Sequence, residues 1–529
     1  MRKMGIYLNV GKDGFRESVA SSIYVDKTGF IAETNMLLGT EQKYVCISRP
    51  RRFGKSMTAK MLAAYYGKEE SRELFQGRAI ESHKTFEAHL NKYNVIFLNM
   101  QEFFSAGHNV DKMKALIEKC VLWDLLEQYP DFRYFDSENL IRTLQDIYAK
   151  TKIPFVFIID EWDCIFRESK GNKEAQELYL DFLRSLLKDK AYVALAYMTG
   201  ILPIKKYGTH SALNMFDEYS MTNPRQFAQY AGFTEAEVEG LCREYNMDFA
   251  EAKRWYDGYQ LTASPENVIR IYSPRSVVSA MLSGIYDTYW NQTETFEALR
   301  EYIVLNYHGL KDMIIELLAG QHKKIETGTF TNDMTTFECM DDVLTLLVHL
   351  GYLGYDFLKS EVFIPNYEVA MEFVNAVKGA GWDEVAAAVK ASDQLLQATW
   401  HCDEIAVASG IAQAHFETSI LNYNNENALS CVVSLAYYSA RRYYTIVREF
   451  PTGKGFADLV FLPRKNHLDK PAIVVELKWN KDAKAAIAQI KERKYLQALK
   501  DYQGNVLLVG VNYNQQSKEH ECKIMAYEY

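Results

Sequence analysis

The 529-residue sequence is poor in proline, with 11, which excludes long proline-rich linkers. Its cysteines, Cys46, Cys120, Cys164, Cys242, Cys339, Cys402, Cys431 and Cys522, are scattered so widely that no CxxC pair occurs. That spacing argues against a zinc ribbon or a disulfide framework and leaves buried free thiols. No apolar run reaches the ~18–20 residues of a membrane helix. The opening MRKMGIYLNV lacks the apolar core of a signal peptide. A cytoplasmic location with no membrane partner is the expectation. Basic charge is not in excess: 60 Lys and Arg face 69 Asp and Glu, a net of −9, which excludes a globally basic nucleic-acid-coating protein. There is no HExxH, no GxSxG, no metal spacing among the 11 histidines, no repeat and no low-complexity tract.

What is present is ordinary globular material, 48% hydrophobic and 24% charged. At ~100–200 residues per domain the length predicts about three domains. Residues 1–225 alternate helical patterns with strand candidates YVCIS (44–48), VIFLNM (95–100), FVFIID (155–160) and AYVALAYMTG (191–200). Near-continuous apolar runs of this kind suit strands covered on both faces, hence a parallel α/β sheet. Residues 226–400 read mostly as helices, with a helix–hairpin–helix pattern over 343–374 that suits a winged-helix module. Residues 405–529 return to mixed α/β. There a helical segment (426–440) precedes strands 444–450, 456–462 and 472–479, a helix (481–500) and a strand (505–513).

The sharpest local signal is RPRRFGKS, Arg49 to Ser56, between a predicted strand and a predicted helix. Walker A loops are GxxxxGK[ST] in that setting, with backbone N–H groups wrapping a polyanion. Gly54, Lys55 and Ser56 match, while Arg49 stands at the first glycine position. Lys55 would neutralise phosphate charge and Ser56 would hold Mg²⁺. Arg49, Arg52 and the neighbouring Met57 complete the candidate loop. The same tripeptide also occurs as a basic turn before a helix; the strand–loop–helix context favours phosphate. FVFIIDEWD then reads as a Walker B strand, Asp160 toward Mg²⁺ and Glu161 as general base for water. Alternatively it is a buried strand ending in solvated acids. Thr199 closes the fourth strand candidate, either orienting the lytic water or capping the strand. Arg225, in TNPR, is a candidate arginine finger or an ordinary exposed arginine.

These motifs, with YVDKT (24–28), WYDGY (255–259), YSPRSVV (272–278), YW (289–290), GYL (351–353) and IPNYEV (364–369), resemble the AAA-ATPase-like family of bacterial and archaeal proteins. The resemblance implies ATP binding through an arginine-rich loop in place of the first glycine. Asp26 and Lys27 fall in a family motif that admits a nucleotide-proximal position. WYDGY suits a packed aromatic turn.

A second cluster lies near the end: Asp458, then Glu476-Leu477-Lys478. Period-two geometry puts Glu476 and Lys478 on one face of a strand, and a hairpin would bring Asp458 to it. Two carboxylates and the Leu477 carbonyl would hold Mg²⁺, and the lysine would position or activate a water for attack on phosphorus. Alternating acids on a strand also form plain solvated faces. Against this, Glu476 follows five apolar or small residues, and burial without a cation costs a carboxylate. The pattern D-x17-E-x-K resembles the PD-(D/E)xK nucleases, in particular the nuclease domain usually found behind the AAA-ATPase-like domain. By that resemblance Glu426 can join the metal site, although Asn427 and Ala428 follow it where an aromatic residue is usual. Gln489 and Tyr495 match a QxxxxxY helix pattern, Gln489 facing the metal's water or the DNA backbone. Residues 441–500 hold 14 Lys and Arg against 6 Asp and Glu, a locally basic stretch in an acidic chain. A solvated helix face carrying Lys481, Lys484, Lys491, Arg493 and Lys494 would explain much of that excess.

The sequence thus predicts an α/β P-loop NTPase domain (1–225), a helical, winged-helix-like middle (226–400) and a restriction-endonuclease-like α/β domain (405–529). ATP and Mg²⁺ are the expected cofactors, nucleic acid the expected partner (DNA before RNA), and a homo-oligomer is admitted. The alternative is an ATP-dependent switch or scaffold whose nuclease-like domain binds DNA or a partner without cleaving.

Overall fold

The computed structural model describes residues 5–204, 213–230, 232–290, 309–318, 320–330, 337–379, 383–417, 426–452, 455–464, 467–492 and 505–527. Contacts divide the chain into two compact units, one from 1–295 with 323–371, the other from 296–322 with 372–529.

The first unit opens with helices α1 (Asp13–Val19) and α2 (Gly29–Leu37). Strand β1 (Tyr44–Ser48) runs through a loop into α3 (Lys55–Tyr66). Then follow β2 (Asn94–Asn99), α4 (Val110–Gln128), α5 (Leu140–Thr151) and β3 (Phe155–Asp160). After them come α6 (Cys164–Glu168), α7 (Lys173–Leu187), β4 (Val193–Gly200) and β5 (Asp217–Tyr219). Helices α4, α5 and α7 each start from an asparagine, Asn109, Asn139 and Asn172. Each side-chain oxygen accepts the N–H three residues on, at 2.9, 3.1 and 3.1 Å. These caps satisfy donors that a helix start leaves unpaired. In α5 the buried Leu140, Thr143, Leu144 and Ile147 recur at helical spacing and make one apolar stripe.

The five strands pair in the order β2-β3-β4-β1-β5, all parallel. Every residue of β1, β3 and β4 is buried, as unbroken apolar runs require. The register lines Asn99, Asp160 and Thr199 across one edge, with Thr199 opposite Ile47 on the far side. Strand β4 therefore separates the strand leading into the 49–54 loop from the strand ending in Asp160. Ligands of open parallel sheets gather beyond this carboxyl edge.

The remainder of this unit includes α8 (Glu235–Glu244), α9 (Phe249–Tyr256), a hairpin of β6 (Tyr259–Ser264) and β7 (Asn267–Tyr272), and α10 (Pro274–Ser283). Then α11 (Met340–Leu350) leads to the antiparallel pair β8 (Gly354–Asp356) and β9 (Glu361–Phe363), followed by α12 (Tyr367–Gly379), of which 367–371 belong to this unit and the rest to the other. The helix–hairpin–helix pattern is thus formed, and a second hairpin, β6–β7, lies within a stretch read as helical. The family-like motifs pack on one another here. The Trp255 and Tyr367 rings sit 4.8 Å apart, Tyr259 donates to Gly351 O at 2.6 Å, and Glu368 accepts from Tyr289 N and Trp290 N at 2.7 and 2.9 Å.

In the second unit, α13 (Asp383–Trp400), α14 (Glu404–Glu417) and α15 (Glu426–Ala436) precede β10 (Tyr444–Thr452), β11 (Gly455–Pro463) and β12 (Ala472–Trp479). Helix α16 (Ala483–Glu492), β13 (Val506–Asn514) and β14 (Glu519–Tyr527) complete it. The sheet order is β10-β11-β12-β13-β14, with only β12–β13 parallel. Helix α16 makes that crossover. It approaches so closely that a Cβ on Gly510 would meet the Ala483 carbonyl oxygen at 2.4 Å. No described helix is long and apolar enough to cross a membrane.

Candidate nucleotide and nuclease sites

The loop after β1 gives the first site its shape. Arg49 N continues the ladder, donating to Gly200 O at 3.0 Å. Its side chain turns into the interior, where Nη1 donates to Ser48 O and Tyr219 O, both at 2.8 Å, while Nε and Nη2 find no partner. Burial holds this guanidinium down to about 10. Arg52 (φ 69°) and Gly54 (φ 83°) take the left-handed conformation that folds the loop back onto the start of α3. Lys55 is buried, and its Nζ donates to Arg49 O at 3.1 Å and Pro50 O at 2.9 Å. Burial lowers its pKa, and Glu161, Asp163 and Asp160 act the other way. Across the cleft, burial raises Asp160, opposed by a hydrogen bond from the Ser56 hydroxyl and by Lys55. Glu161 is likewise raised by burial and opposed by Lys55 and Arg167. A hydroxyl beside a carboxylate at the foot of a cationic loop is the donor chemistry that Mg²⁺ of a nucleotide takes.

Of these groups, Arg52, Gly54, Lys55, Ser56 and Glu161 open onto a cleft of about 840 Å³. Its lining includes Gly54, Lys55, Ser56, Met57, Glu161 and Arg167 together with the apolar Ile23, Val25, Phe233 and Val278 and the ring of Tyr24. A lining that combines cationic and polar groups with apolar ones suits a ligand carrying both a phosphate chain and a base.

The second site forms where β11 and β12 pair. Asp458 is half-buried, and its Oδ2 accepts from Leu477 N at 2.7 Å. Glu476 is 2% exposed. Its Oε1 accepts from Lys478 Nζ at 2.9 Å and from Gln489 Nε2 of α16. Leu477 puts its side chain into the core, so only its backbone is available to a ligand. Among the described residues no three of His, Cys, Asp and Glu gather as a metal cluster. Two carboxylates and a carbonyl are nevertheless hard oxygen donors of the kind Mg²⁺ prefers, the rest of its shell being water.

Residues 10–209 match the family described as "Predicted AAA-ATPase", and residues 424–522 match the "PD-(D/E)XK nuclease superfamily". The chain joins an AAA-ATPase-like segment to a PD-(D/E)XK nuclease-superfamily segment. A protein of Azotobacter chroococcum mcd 1, "Uncharacterized protein in vnfD 5'region", is 26% identical over 281 residues, covering 51% of each chain. The chain thus spans about half the length of that curated relative. Among solved structures, the Cdc6p of Pyrobaculum aerophilum overlays at TM-score 0.23 with 9% identity, over 70% of this chain and 98% of that one. The ORC2 protein of Aeropyrum pernix, an ADPNP-ADP complex, overlays at 0.30 with 10% identity, over 68% and 97%. Overlays this weak carry no inference.

In the AAA-ATPase-like segment, Gly54, Lys55, Ser56, Met57 and Glu161 share the cleft, and Arg52 lines it while donating to Tyr289 O at 3.3 Å. Asp160 sits behind Ser56. Thr199 is fully buried in β4, directly beside Asp160. The Arg49 side chain points away into the sheet. Arg225 is exposed, its guanidinium 5.7 Å from the Tyr219 ring centroid, and it does not line the cleft. Of the YVDKT motif, Lys27 lines the cleft and pairs with Glu237 at 2.7 Å, whereas Asp26 caps the backbone of Thr28 and Ala79 at 2.8 Å each. In the nuclease-superfamily segment Asp458, Glu476, Lys478 and Gln489 come together. Glu426 opens α15, with its side chain outside the described residues, and Tyr495 lies outside them altogether. Sequence reasoning missed Arg167, Asn99 and Arg275, which also line the cleft. Asn99 was legible as the polar end of a strand beside Asp160, and Arg275 stands in YSPRSVV, quoted only for its resemblance; Arg167 carries no motif of its own.

Proposed function

We propose that the chain binds ATP with Mg²⁺ in the cleft over Lys55 and hydrolyses it, and that its C-terminal segment is a metal-dependent nuclease acting on DNA in preference to RNA. Gly54 and the first N–H groups of α3 would cradle the phosphates, Lys55 would trade its loop carbonyls for phosphate oxygens, and Ser56 with Asp160 would hold Mg²⁺. Glu161 would accept a proton from the attacking water and Thr199 would orient it. In the second site Asp458, Glu476 and the Leu477 carbonyl would hold Mg²⁺, which when bound polarises the phosphodiester and favours ionisation of a nearby water. Lys478 would hold that water by its ammonium, and Gln489 would fix the Glu476 carboxylate. The basic stretch over 441–500 would meet the phosphate backbone. Coupling between the two activities is part of this reading, as is a cytoplasmic setting.

The observation that carries the reading is the meeting of Asp458, Glu476, Lys478 and Gln489, from two strands and a helix, around a carboxylate 2% exposed. It is tested by incubating the full chain with linear and supercoiled DNA in Mg²⁺ or Mn²⁺, with and without ATP. Cleavage lost in Asp458→Ala and Glu476→Ala supports it; retained binding with no cleavage under any metal condition gives the alternative of an ATP-dependent scaffold. One observation favours that alternative: Lys478 and Gln489 both already donate to Glu476 Oε1 from within the protein.

A further inference from the structure

The chain after Asp160 folds around one arginine. Arg167, on α6, has a side chain only 10% exposed, yet it lines the nucleotide cleft. Its Nη2 pairs with Glu161 Oε2, and its Nε lies 3.5 Å from Asp163 Oδ2. Asp163 is fully buried and committed elsewhere, since the same Oδ2 accepts Ile201 N at 3.0 Å and Leu202 N at 2.8 Å. Asp163 thus ties the base of Arg167 to the segment following β4 and leaves the other end of the guanidinium on Glu161. Lys55, close enough to feel Arg167 electrostatically, rests on its own loop carbonyls. Lys55 and Arg167, both lining the cleft, therefore each hold an acceptor that a polyphosphate can replace.

We propose that Arg167 recognises the terminal phosphate of ATP, and that its contact with Glu161 occupies that carboxylate until the phosphate arrives. The proposal rests on ATP binding at Lys55. A planar fork binds a phosphate bidentately, and phosphate carries more charge than one carboxylate. Asp163 keeps Arg167 in place during the exchange. Glu161, released from its guanidinium, is then free to accept a hydrogen bond from a water. ADP, lacking the terminal group, does not draw Arg167 away.

The test is calorimetric: dissociation constants for ATP and ADP with Mg²⁺, measured on the full chain for wild type, Lys55→Ala, Arg167→Ala, Glu161→Gln and the Arg167→Ala/Glu161→Gln pair. Arg167→Ala should weaken ATP about tenfold or more and move ADP by less than about twofold. Glu161→Gln, which removes the competing charge, should tighten ATP in the wild-type background and leave it unchanged in the Arg167→Ala background. Arg167→Lys keeps the charge without the fork; it should lose most of the ATP preference, and it serves where Arg167→Ala fails to fold. Equal losses for ATP and ADP, no loss, or a Glu161→Gln gain that survives in the pair would each overturn the proposal. A wild type that binds no nucleotide, or binds independently of Lys55, would remove the reading of the cleft itself.

Discussion

Lys478 Nζ lies 2.9 Å from Glu476 Oε1, two residues along the same strand, with side chains only 9% and 3% exposed. Removing one member of a buried pair leaves an unpaired charge, at about 3 kcal/mol or more, whereas replacing both is far milder. Lys478→Met should therefore destabilise the protein by about that amount, and Lys478→Met/Glu476→Gln should recover most of it. Chemical denaturation of the four proteins of the cycle measures this. Both variants should lose DNA cleavage, so stability and activity part company in the pair.

Asp160 gives a pH signature. Burial raises its folded-state pKa, so between the ordinary carboxylate range and the raised value the folded protein binds more protons than the unfolded chain. Stability from this group falls as pH rises through that window. Asp160→Asn keeps an oxygen for Glu161 N, which Asp160 Oδ1 accepts at 3.0 Å, and removes the buried charge. The variant should be more stable than wild type at pH 7, seen as a higher Tm, and the gain should shrink as pH falls into the ordinary carboxylate range. ATP hydrolysis should be lost. Thermal melts at pH 4 and pH 7 check both the sign and the window.

Arg49 and Lys55 separate framing from ligand binding. Arg49 Nη1 bonds two backbone carbonyls inside the sheet, so Arg49→Met should change ATP affinity by less than about twofold. Lys55→Ala should weaken it at least tenfold, about 1.4 kcal/mol. A competition assay with fluorescent ATP distinguishes them, and a large loss in Arg49→Met would show that the side chain turns outward to the nucleotide.

The parallel sheet was legible because its strands are buried on both faces: YVCIS and FVFIID coincide with β1 and β3 residue for residue. Strand 95–100 slipped by one because Met100 belongs to the following helix, opened by Asn99. Strand β14 was missed because EHECKIMAY pairs along the sheet edge with only Cys522 buried, and its polar residues hide the alternation. The candidate sites were legible where chemistry is local, in GKS and in E-x-K. Arg167 was not, because nothing at its position in the sequence shows that α6 turns back under Glu161. The side-chain direction of Arg49 was also beyond sequence, since a loop motif fixes backbone more than rotamer.

Gly258, in WYDGY, tests whether the remaining family-like motifs serve packing. Its φ is 119°, and a Cβ there would lie 2.0 Å from Pro365 O, of IPNYEV. Gly258→Ala thus forces a strained backbone and a clash with another backbone at once, at about 3 kcal/mol or more. Gly240 is the control: it lies inside α8, and a Cβ there meets nothing within 4 Å. Gly240→Ala should stabilise by about 0.5–1 kcal/mol through helix propensity and a less free unfolded chain. Denaturant titrations of both variants should therefore move in opposite directions. A Gly258→Ala protein as stable as wild type would mean that WYDGY and IPNYEV are not held against each other, and would return both motifs to consideration as binding elements.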